Sequence, residues 1–320
     1  MTRTLLALVI AAGAAAAWPA AAANEPPKPN QEPTAKAPLY DSTADAKAQI
    51  AAAVARAAKD NKRVLIQWGA EWCGWCHLLH ATFTSDPAVK KQLAYEYEVV
   101  HVDIGRWDKN MDLAASYGAD LKASGVPFLT VLDAQGKPVA NQETGSLELK
   151  NAPDDKPGHD PAAVLAFLKK HQAPPITSDE LMRAALSKAG AENKRVFLHF
   201  GAPWCGWCHR LENWMEKPEV APILAKAFVD LKIDVDRNPG GKALCDKMGA
   251  GKSGIPWIAI LDAEGKTLTT SEAPGSGNVG FPYGDEEIAW FIRMLKESTN
   301  LSTEDLATLE ASLKANRDKK

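Results

Sequence analysis

The sequence predicts an α/β protein of two tandem domains, each a mixed sheet with helices on both faces, and three observations carry that prediction. Residues 61–77 (NKRVLIQWGAEWCGWCH) and 193–209 (NKRVFLHFGAPWCGWCH) agree at 12 of 17 positions, at an offset of 132. A second pair follows in the same order: 125–137 (GVPFLTVLDAQGK) and 254–266 (GIPWIAILDAEGK) agree at 7 of 13, at an offset of 129. Nearly equal offsets mark a duplicated domain, far longer than the roughly 20–50-residue period of a solenoid. Finally, short apolar strand-like runs alternate with helical patterns in each copy, an order that buries a sheet between helices.

The elements follow in chain order. Residues 1–23 carry one cation at Arg3, an uncharged run from Leu5 to Ala17, Pro19 and the ending Ala21-Ala22-Ala23. That is the layout of a signal peptide cleaved before Asn24; an uncleaved anchor is the rival, weakened by Pro19 and a mostly alanine tail. Residues 24–40 contain five prolines and few apolar side chains, and read as a Pro-rich linker. The first domain is expected over 41–172, a second linker with Pro174 and Pro175 over 173–177, and the second domain over 178–320.

Ser42 or Thr43 is expected to cap a first helix in which Ile50 and Val54 fall one turn apart. Arg63 to Trp68 and Arg195 to Phe200 read as strands ending at a glycine, each followed by a Cys-Gly-Trp-Cys segment that opens a helix. Asp86-Pro87 restarts a helix, since Asp caps and Pro suits the first helical position. Val99 to Ile104 and Val229 to Val235 read as buried strands, followed by helices near Met111 to Tyr117 and Ala243 to Met248. Phe128 to Leu132 and Trp257 to Leu261 end in Asp-Ala-x-Gly-Lys turns, which imply antiparallel hairpins. Closing helices run from Asp160-Pro161 to His171 and from Asp285 to about Leu295. Leu306, Leu309 and Leu313 mark an amphipathic helix over 302–316, expected to pack on the second domain.

Composition removes several function classes. The chain has 37 Lys and Arg against 40 Asp and Glu, a net charge of −3, with the cations scattered among acids. That gives no footprint for a polyanion, so no nucleic-acid partner is expected. No apolar run after residue 23 approaches the roughly 18 residues of a membrane span, so no stable membrane insertion is expected after signal cleavage. The mature protein is expected to be periplasmic or secreted.

Five cysteines stand at 73, 76, 205, 208 and 245. A bridge across two intervening residues closes too small a loop to staple a fold, so the paired cysteines point to chemistry. On the first helical turn, positions i and i+3 face one side at a spacing that suits a disulfide. The first sulfur also meets the helix's unpaired N–H groups, which favour a thiolate. Cys73 and Cys205 are therefore expected to attack, and Cys76 and Cys208 to resolve. Trp72, Trp75, Trp204 and Trp207 are expected to form an exposed aromatic rim that touches apolar segments of substrates. Cys245, aligned with Ala114, reads as a small packing residue, and Asp103 and Asp234 as strand-end residues. His77 and His209 read equally as solvated helix residues or as groups that tune the thiols.

Trp-Cys-x-x-Cys at a strand-to-helix junction, with Gly-Val-Pro127 or Gly-Ile-Pro256 about fifty residues on, resembles the thioredoxin superfamily in both copies. Residues 277–282 (GNVGFP) and 205–212 (CGWCHRLE) resemble the bacterial thioredoxin-like branch found in exported proteins. The resemblance implies a tandem exported thiol:disulfide interchange protein needing no cofactor and no metal. Its partners would be thiols or disulfides of exported proteins and an unidentified redox partner. It also implies cis prolines, with Val126-Pro127 and Ile255-Pro256 pairing with the substrate backbone.

The sequence departs from the family where thioredoxin has a buried Asp six residues before the first cysteine; Gln67 and His199 stand there instead. The family's lysine on the adjacent strand is matched by Lys232, whereas the first copy has His101. The i,i+4 spacing places His80 near Cys76 and Glu212 near Cys208, and the resemblance adds His199 and Lys232 at the family's positions, so His80, His199, Glu212 and Lys232 are candidate proton-transfer groups. Gly-Trp between the cysteines sets no cation beside the nucleophile, which biases the expected activity to reduction or isomerisation. Three rival readings are a dihaem c-type cytochrome using Cys-x-x-Cys-His at 73–77 and 205–209, a four-cysteine zinc site, and a redox-inert binding module.

Overall fold

The described residues of the computed structural model, 38–150 and 156–317, form two four-stranded mixed sheets, each flanked by helices. The signal peptide and most of the expected Pro-rich linker lie outside the described residues. In the first half, α1 (Ala46–Lys59) leads to β1 (Arg63–Gly69), α2 (Gly74–Ser85), α3 (Pro87–Glu96) and β2 (Tyr97–Asp103). Then come α4 (Met111–Ser116), α5 (Leu121–Ser124), β3 (Phe128–Leu132), β4 (Pro138–Glu143) and α6 (Pro161–His171). The second half repeats the pattern with α7 (Ser178–Glu192), β5 (Arg195–Gly201), α8 (Gly206–Met215), α9 (Ala221–Ala227) and β6 (Phe228–Asp234). It continues through α10 (Gly241–Lys247), β7 (Trp257–Leu261), β8 (Thr267–Thr270), the short β9 (Glu272–Ala273) and β10 (Gly277–Asn278), α11 (Asp285–Ser298) and α12 (Thr303–Arg317).

The strand orders are β2-β1-β3-β4 and β6-β5-β7-β8, with β1/β2 and β5/β6 parallel and the other pairs antiparallel. Strands β1 and β5 are buried beyond their first residue, which is why they are apolar almost throughout instead of alternating. On one face of β1, Val64, Ile66 and Trp68 pack against Ile50, Ala53 and Ala57 of α1. On the other, Leu65 packs with Leu79 and Phe83 of α2 and with Val164 and Leu168 of α6. The second sheet is covered in the same way, and Leu306, Leu309 and Leu313 of α12 join Phe291 and Leu295 of α11 in its core.

Several boundaries differ from the sequence expectation for local reasons. The Thr43 amide and hydroxyl both donate to Asp41 Oδ1, at 2.8 and 2.7 Å, which commits this stretch to a turn. Asp45, accepting from the Lys47 and Ala48 amides at 2.9 and 3.1 Å, therefore caps α1 in place of Ser42 or Thr43. Tyr40, assigned to the linker by its prolines, is 2% exposed and packs in a small cluster with Cys73 and Cys76. Tyr97 pairs in register with Arg63 and Phe228 with Arg195, so β2 and β6 start earlier than expected. The β9–β10 hairpin carries Asn278, whose side-chain amide donates to the Ser253, Gly254 and Pro256 carbonyls at 3.2, 3.2 and 3.0 Å. Local sequence signals missed that hairpin, whose strands are only two residues long, and did not foresee α5, α7 or α9.

Polar contacts join the halves. Arg237 donates from Nε and Nη2 to the two Glu96 carboxylate oxygens at 3.0 and 2.9 Å, and its Nη1 and Nη2 donate to the Asp60 and Asn61 carbonyls. The Tyr95 hydroxyl donates to Asp236 Oδ2 at 2.8 Å, and the Asn61 amide to the Pro174 carbonyl at 2.8 Å. With Arg237 and Glu96 side chains only 9% and 13% exposed, removing one partner strands the other away from water. Arg237→Met should therefore cost roughly 3–5 kcal/mol and separate the calorimetric unfolding of the two halves. An unshifted single transition would show that the clamp does not couple them.

Candidate functional site

Each motif sits where a buried strand hands over to a helix. Strand β1 ends at Gly69 and β5 at Gly201, and after a short turn Cys73 and Cys205 take extended backbone conformations as the N-cap residues of α2 and α8. Their sulfurs accept hydrogen bonds from the Cys76 and Cys208 amides, both at 3.1 Å. Ser, Thr, Asp or Asn ordinarily fills this capping position; a sulfur there meets the positive end of the helix. Cys73 is bonded to Cys76 and Cys205 to Cys208, with Cα separations of 5.2 and 5.3 Å. The second cysteines are the deeper ones: Cys76 and Cys208 are 0% and 1% exposed, against 5% for Cys73 and Cys205.

The peptide bonds Val126–Pro127 and Ile255–Pro256 are cis. The preceding carbonyls reach the first sulfurs, with Val126 O 3.6 Å from Cys73 Sγ and Ile255 O 3.5 Å from Cys205 Sγ. Around each motif Trp72, Trp75, Trp204 and Trp207 are 46%, 37%, 65% and 46% exposed, forming the expected rim. Trp72 Nε1 donates to the Gly105 carbonyl at 2.6 Å and its ring meets Trp107, whereas Trp204 Nε1 donates to Asp236 Oδ2 at 2.8 Å. Trp207 lies between the Arg210 guanidinium and the Tyr283 ring. Beside it a groove runs along Ser253 to Pro256 and Asn278 to Phe281. His77 is half-buried and His209 exposed, and they turn back to the Glu71 and Pro203 carbonyls, each at 2.8 Å.

Behind the second sulfurs the halves diverge. In the second, Glu212 lies one turn after Cys208, and a Cβ placed on Gly201 would meet Cys208 Sγ at 3.6 Å and Glu212 Oε1 at 3.8 Å, so both groups border one small space. Lys232 Nζ is 3.0 Å from Glu212 Oε1, and His209 Nδ1 is 3.8 Å from Glu212 Oε2. Glu212, placed by its i,i+4 spacing from Cys208, and Lys232, placed by the family resemblance, are thus brought together. His199 is not part of this pair through any hydrogen bond: its Nε2 lies 3.1 Å from Asp230 Oδ1, because that neighbouring carboxylate on β6 offers the buried imidazole a charged partner.

In the first half the space next to Cys76 is filled by a residue that sequence reasoning placed in the linker. A Cβ on Gly69 would meet Cys76 Sγ at 2.5 Å and the Tyr40 hydroxyl closer still. Gln67 Nε2 donates to the Tyr40 hydroxyl at 2.7 Å and to the Cys76 carbonyl at 3.0 Å, holding the phenol in place. Burial pushes the Tyr40 hydroxyl far above the ordinary tyrosine range, so it stays protonated. The His101 ring stands edge-on to Tyr40 at 5.7 Å, and the His80 ring edge-on to His101 at 5.2 Å. Leu39-Tyr40, an apolar pair closing a polar tether directly before α1, was the available signal for this residue. Asp103 and Asp234 end their strands as expected, the latter accepting from the Asp236 and Arg237 amides. Cys245 is buried, and burial raises its thiol pKa.

Comparison with known proteins places these features in context. Residues 45–134 match a family model described as "Thioredoxin-like", and residues 162–303 one described as "Protein of unknown function, DUF255". Protein disulfide-isomerase erp38 of Neurospora crassa is 28% identical over 221 residues, covering 68% of this chain and 54% of that protein. Human spermatogenesis-associated protein 20 is 30% identical over 121 residues, 37% of this chain and 15% of that protein. The chain thus spans about half the length of the first relative and a smaller share of the second. Among solved structures, a disulphide isomerase from Xylella fastidiosa Temecula1 is 30% identical, covering 41% of this chain and 95% of that one, at a TM-score of 0.35.

The His80–His101 pair carries a pH signature. Burial, then the neighbouring His80, lowers His101 from its ordinary 6.5 to about 4. Between those values the unfolded chain binds the proton and the folded chain does not, so stability rises with pH across the window. Stability from this site should be complete above about 6.5 and lost progressively as pH falls towards about 4. His101→Asn should flatten that limb of the urea midpoint plotted against pH; parallel curves for both proteins would rule the assignment out.

Proposed function

The chain belongs to the thioredoxin superfamily, and from that premise we propose that it is an exported protein disulfide oxidoreductase working through both Cys-Gly-Trp-Cys motifs on cysteines of other exported proteins. The observation that carries this reading occurs in both halves: the first sulfur caps a helix, accepts its partner's amide, and lies beside the carbonyl that precedes a proline. Cys73 or Cys205, as thiolate, attacks one sulfur of a substrate disulfide; a mixed disulfide forms and the other substrate sulfur leaves with the electron pair. Cys76 or Cys208 then loses its proton and attacks the first sulfur, closing the motif disulfide and releasing the substrate dithiol. Two electrons pass from motif to substrate, and a separate redox partner returns them. No cofactor or metal enters these steps.

The exposed tryptophans and the backbone at Val126-Pro127 and Ile255-Pro256 serve as the substrate-binding surface. Glu212, paired with Lys232, takes the resolving proton in the second half. In the first, His80, one turn after Cys76, is the candidate acceptor. His199, tied to Asp230, supports the strand and not the proton path. Periplasmic or secreted placement rests on the composition of residues 1–23. Among the described residues no helix is long and apolar enough to cross a membrane.

Cys76→Ser and Cys208→Ser should accumulate mixed disulfides with client proteins, because attack persists and resolution is lost. Equal trapping by Cys73→Ser and Cys205→Ser would reverse the assignment. With no cation between the cysteines, the first thiol should titrate nearer about 7 than about 3.5, giving a bias to reduction or isomerisation. A motif potential close to about −120 mV, that of strong oxidants, would contradict it.

A further inference from the structure

The ion pair behind the second motif is joined by a third charge from the first half of the chain. Lys232, on β6, stands between two carboxylates: Glu212 of α8 at 3.0 Å and Asp60, the residue that ends α1, at 3.4 Å. Asp60 is fixed there by the clamp between the halves, since its own carbonyl accepts from Arg237 Nη1 and the Asn61 carbonyl from Nη2. The corresponding positions of the first half are His80 and His101, whose rings meet edge-on beside Tyr40, so that site draws on its own half.

We propose that Asp60 is a positioning residue for the second motif: by sharing the Lys232 ammonium with Glu212, it leaves Glu212 basic enough to take the proton of the Cys208 thiol. This rests on reading the motif as a thiol–disulfide exchange centre. In the resolving step, Glu212 accepts the Cys208 proton and the Cys208 thiolate attacks Cys205 Sγ. The Cys205–Cys208 bond forms, the bond from Cys205 to the substrate breaks, and the substrate sulfur leaves with the electron pair and is protonated. A lysine held by Glu212 alone stabilises the carboxylate more strongly and makes it a weaker base. Burial pulls the Lys232 ammonium down, but Asp60 and Glu212 outweigh it and hold it above the ordinary lysine range, so the cation persists.

Other charges face this group. His209 lies 3.8 Å from the second Glu212 oxygen, and Asp230 and Asp234 on β6 feel the Lys232 charge. Each has another partner: Asp230 lies against His199, and Asp234 accepts two backbone amides. On the α1 side Lys59 is bonded to Glu216, and Lys62 and Arg56 to Glu98. Asp60 is therefore the carboxylate that competes directly with Glu212 for Lys232.

The test uses the full chain with Cys73→Ser and Cys76→Ser, so that only the second motif reports, with reduction of insulin followed across pH. Asp60→Asn should lower the plateau roughly threefold to tenfold, well inside the contribution of a positioned base, and move the acid limb to lower pH. Asp60→Glu should restore both. A profile for Asp60→Asn that superimposes on its parent overturns the inference, as does a uniform loss without a shift that Asp60→Glu fails to rescue. An inert parent, with Cys205 and Cys208 intact, overturns the functional reading and the inference with it.

Discussion

A sulfur that caps a helix cannot be moved without moving the strand before it and the turn between them, and in this chain that contact recurs in both halves. Cys73 and Cys205 accept their partners' amides at 3.1 Å. To deliver the chain there, β1 and β5 must stop at Gly69 and Gly201, directly under the sulfurs of Cys76 and Cys208. At Gly69 even a methyl group would run into Cys76 Sγ and the Tyr40 hydroxyl, so the glycine is required by close approach and not by an unusual backbone angle. The neighbouring strands follow from burial: a central strand covered on both faces needs helices above and below it.

Behind this shared frame the two copies solve the same electrostatic problem differently. The first surrounds its inner sulfur with groups that remain uncharged near neutrality: a protonated phenol, an amide and a histidine whose burial disfavours the cation. Uncharged groups can be buried completely at modest cost when they are hydrogen-bonded. The second uses a carboxylate and an ammonium, which bring a desolvation cost that uncharged groups avoid. Accordingly its ion pair borders a cleft of about 650 Å³ between the halves, where water and a third charge can reach it.

What could be read from the sequence was whatever depends on neighbours in the chain. The strand-turn-helix at each motif, the Asp-Pro starts of α3 and α6 and the hairpins after β3 and β7 all rest on a few consecutive residues. The i,i+4 relation between Cys208 and Glu212 was legible for the same reason, as was the exposure of the four tryptophans. Tyr40 was not, because the prolines before it dominate local composition while its burial depends on Gln67 and His101, far along the chain. Asp60 was hidden more thoroughly still: it lies 172 positions from Lys232, and no local periodicity encodes a contact between copies. The contact of His199 with Asp230 was not legible either, since it is set by strand register between β5 and β6.

Cys245 is 3% exposed within the core that α7, α10 and β7 share, its thiol made less acidic by burial. In a protein with two disulfides, Cys73–Cys76 and Cys205–Cys208, an accessible fifth thiol could attack them and scramble the pairing; a protonated, enclosed one is a poor nucleophile. The enclosure also turns the residue into a built-in clock. An alkylating reagent reaches it only when that core opens, so its rate of modification counts openings of the second half under native conditions. Comparing that rate with global unfolding separates local breathing from loss of the whole fold.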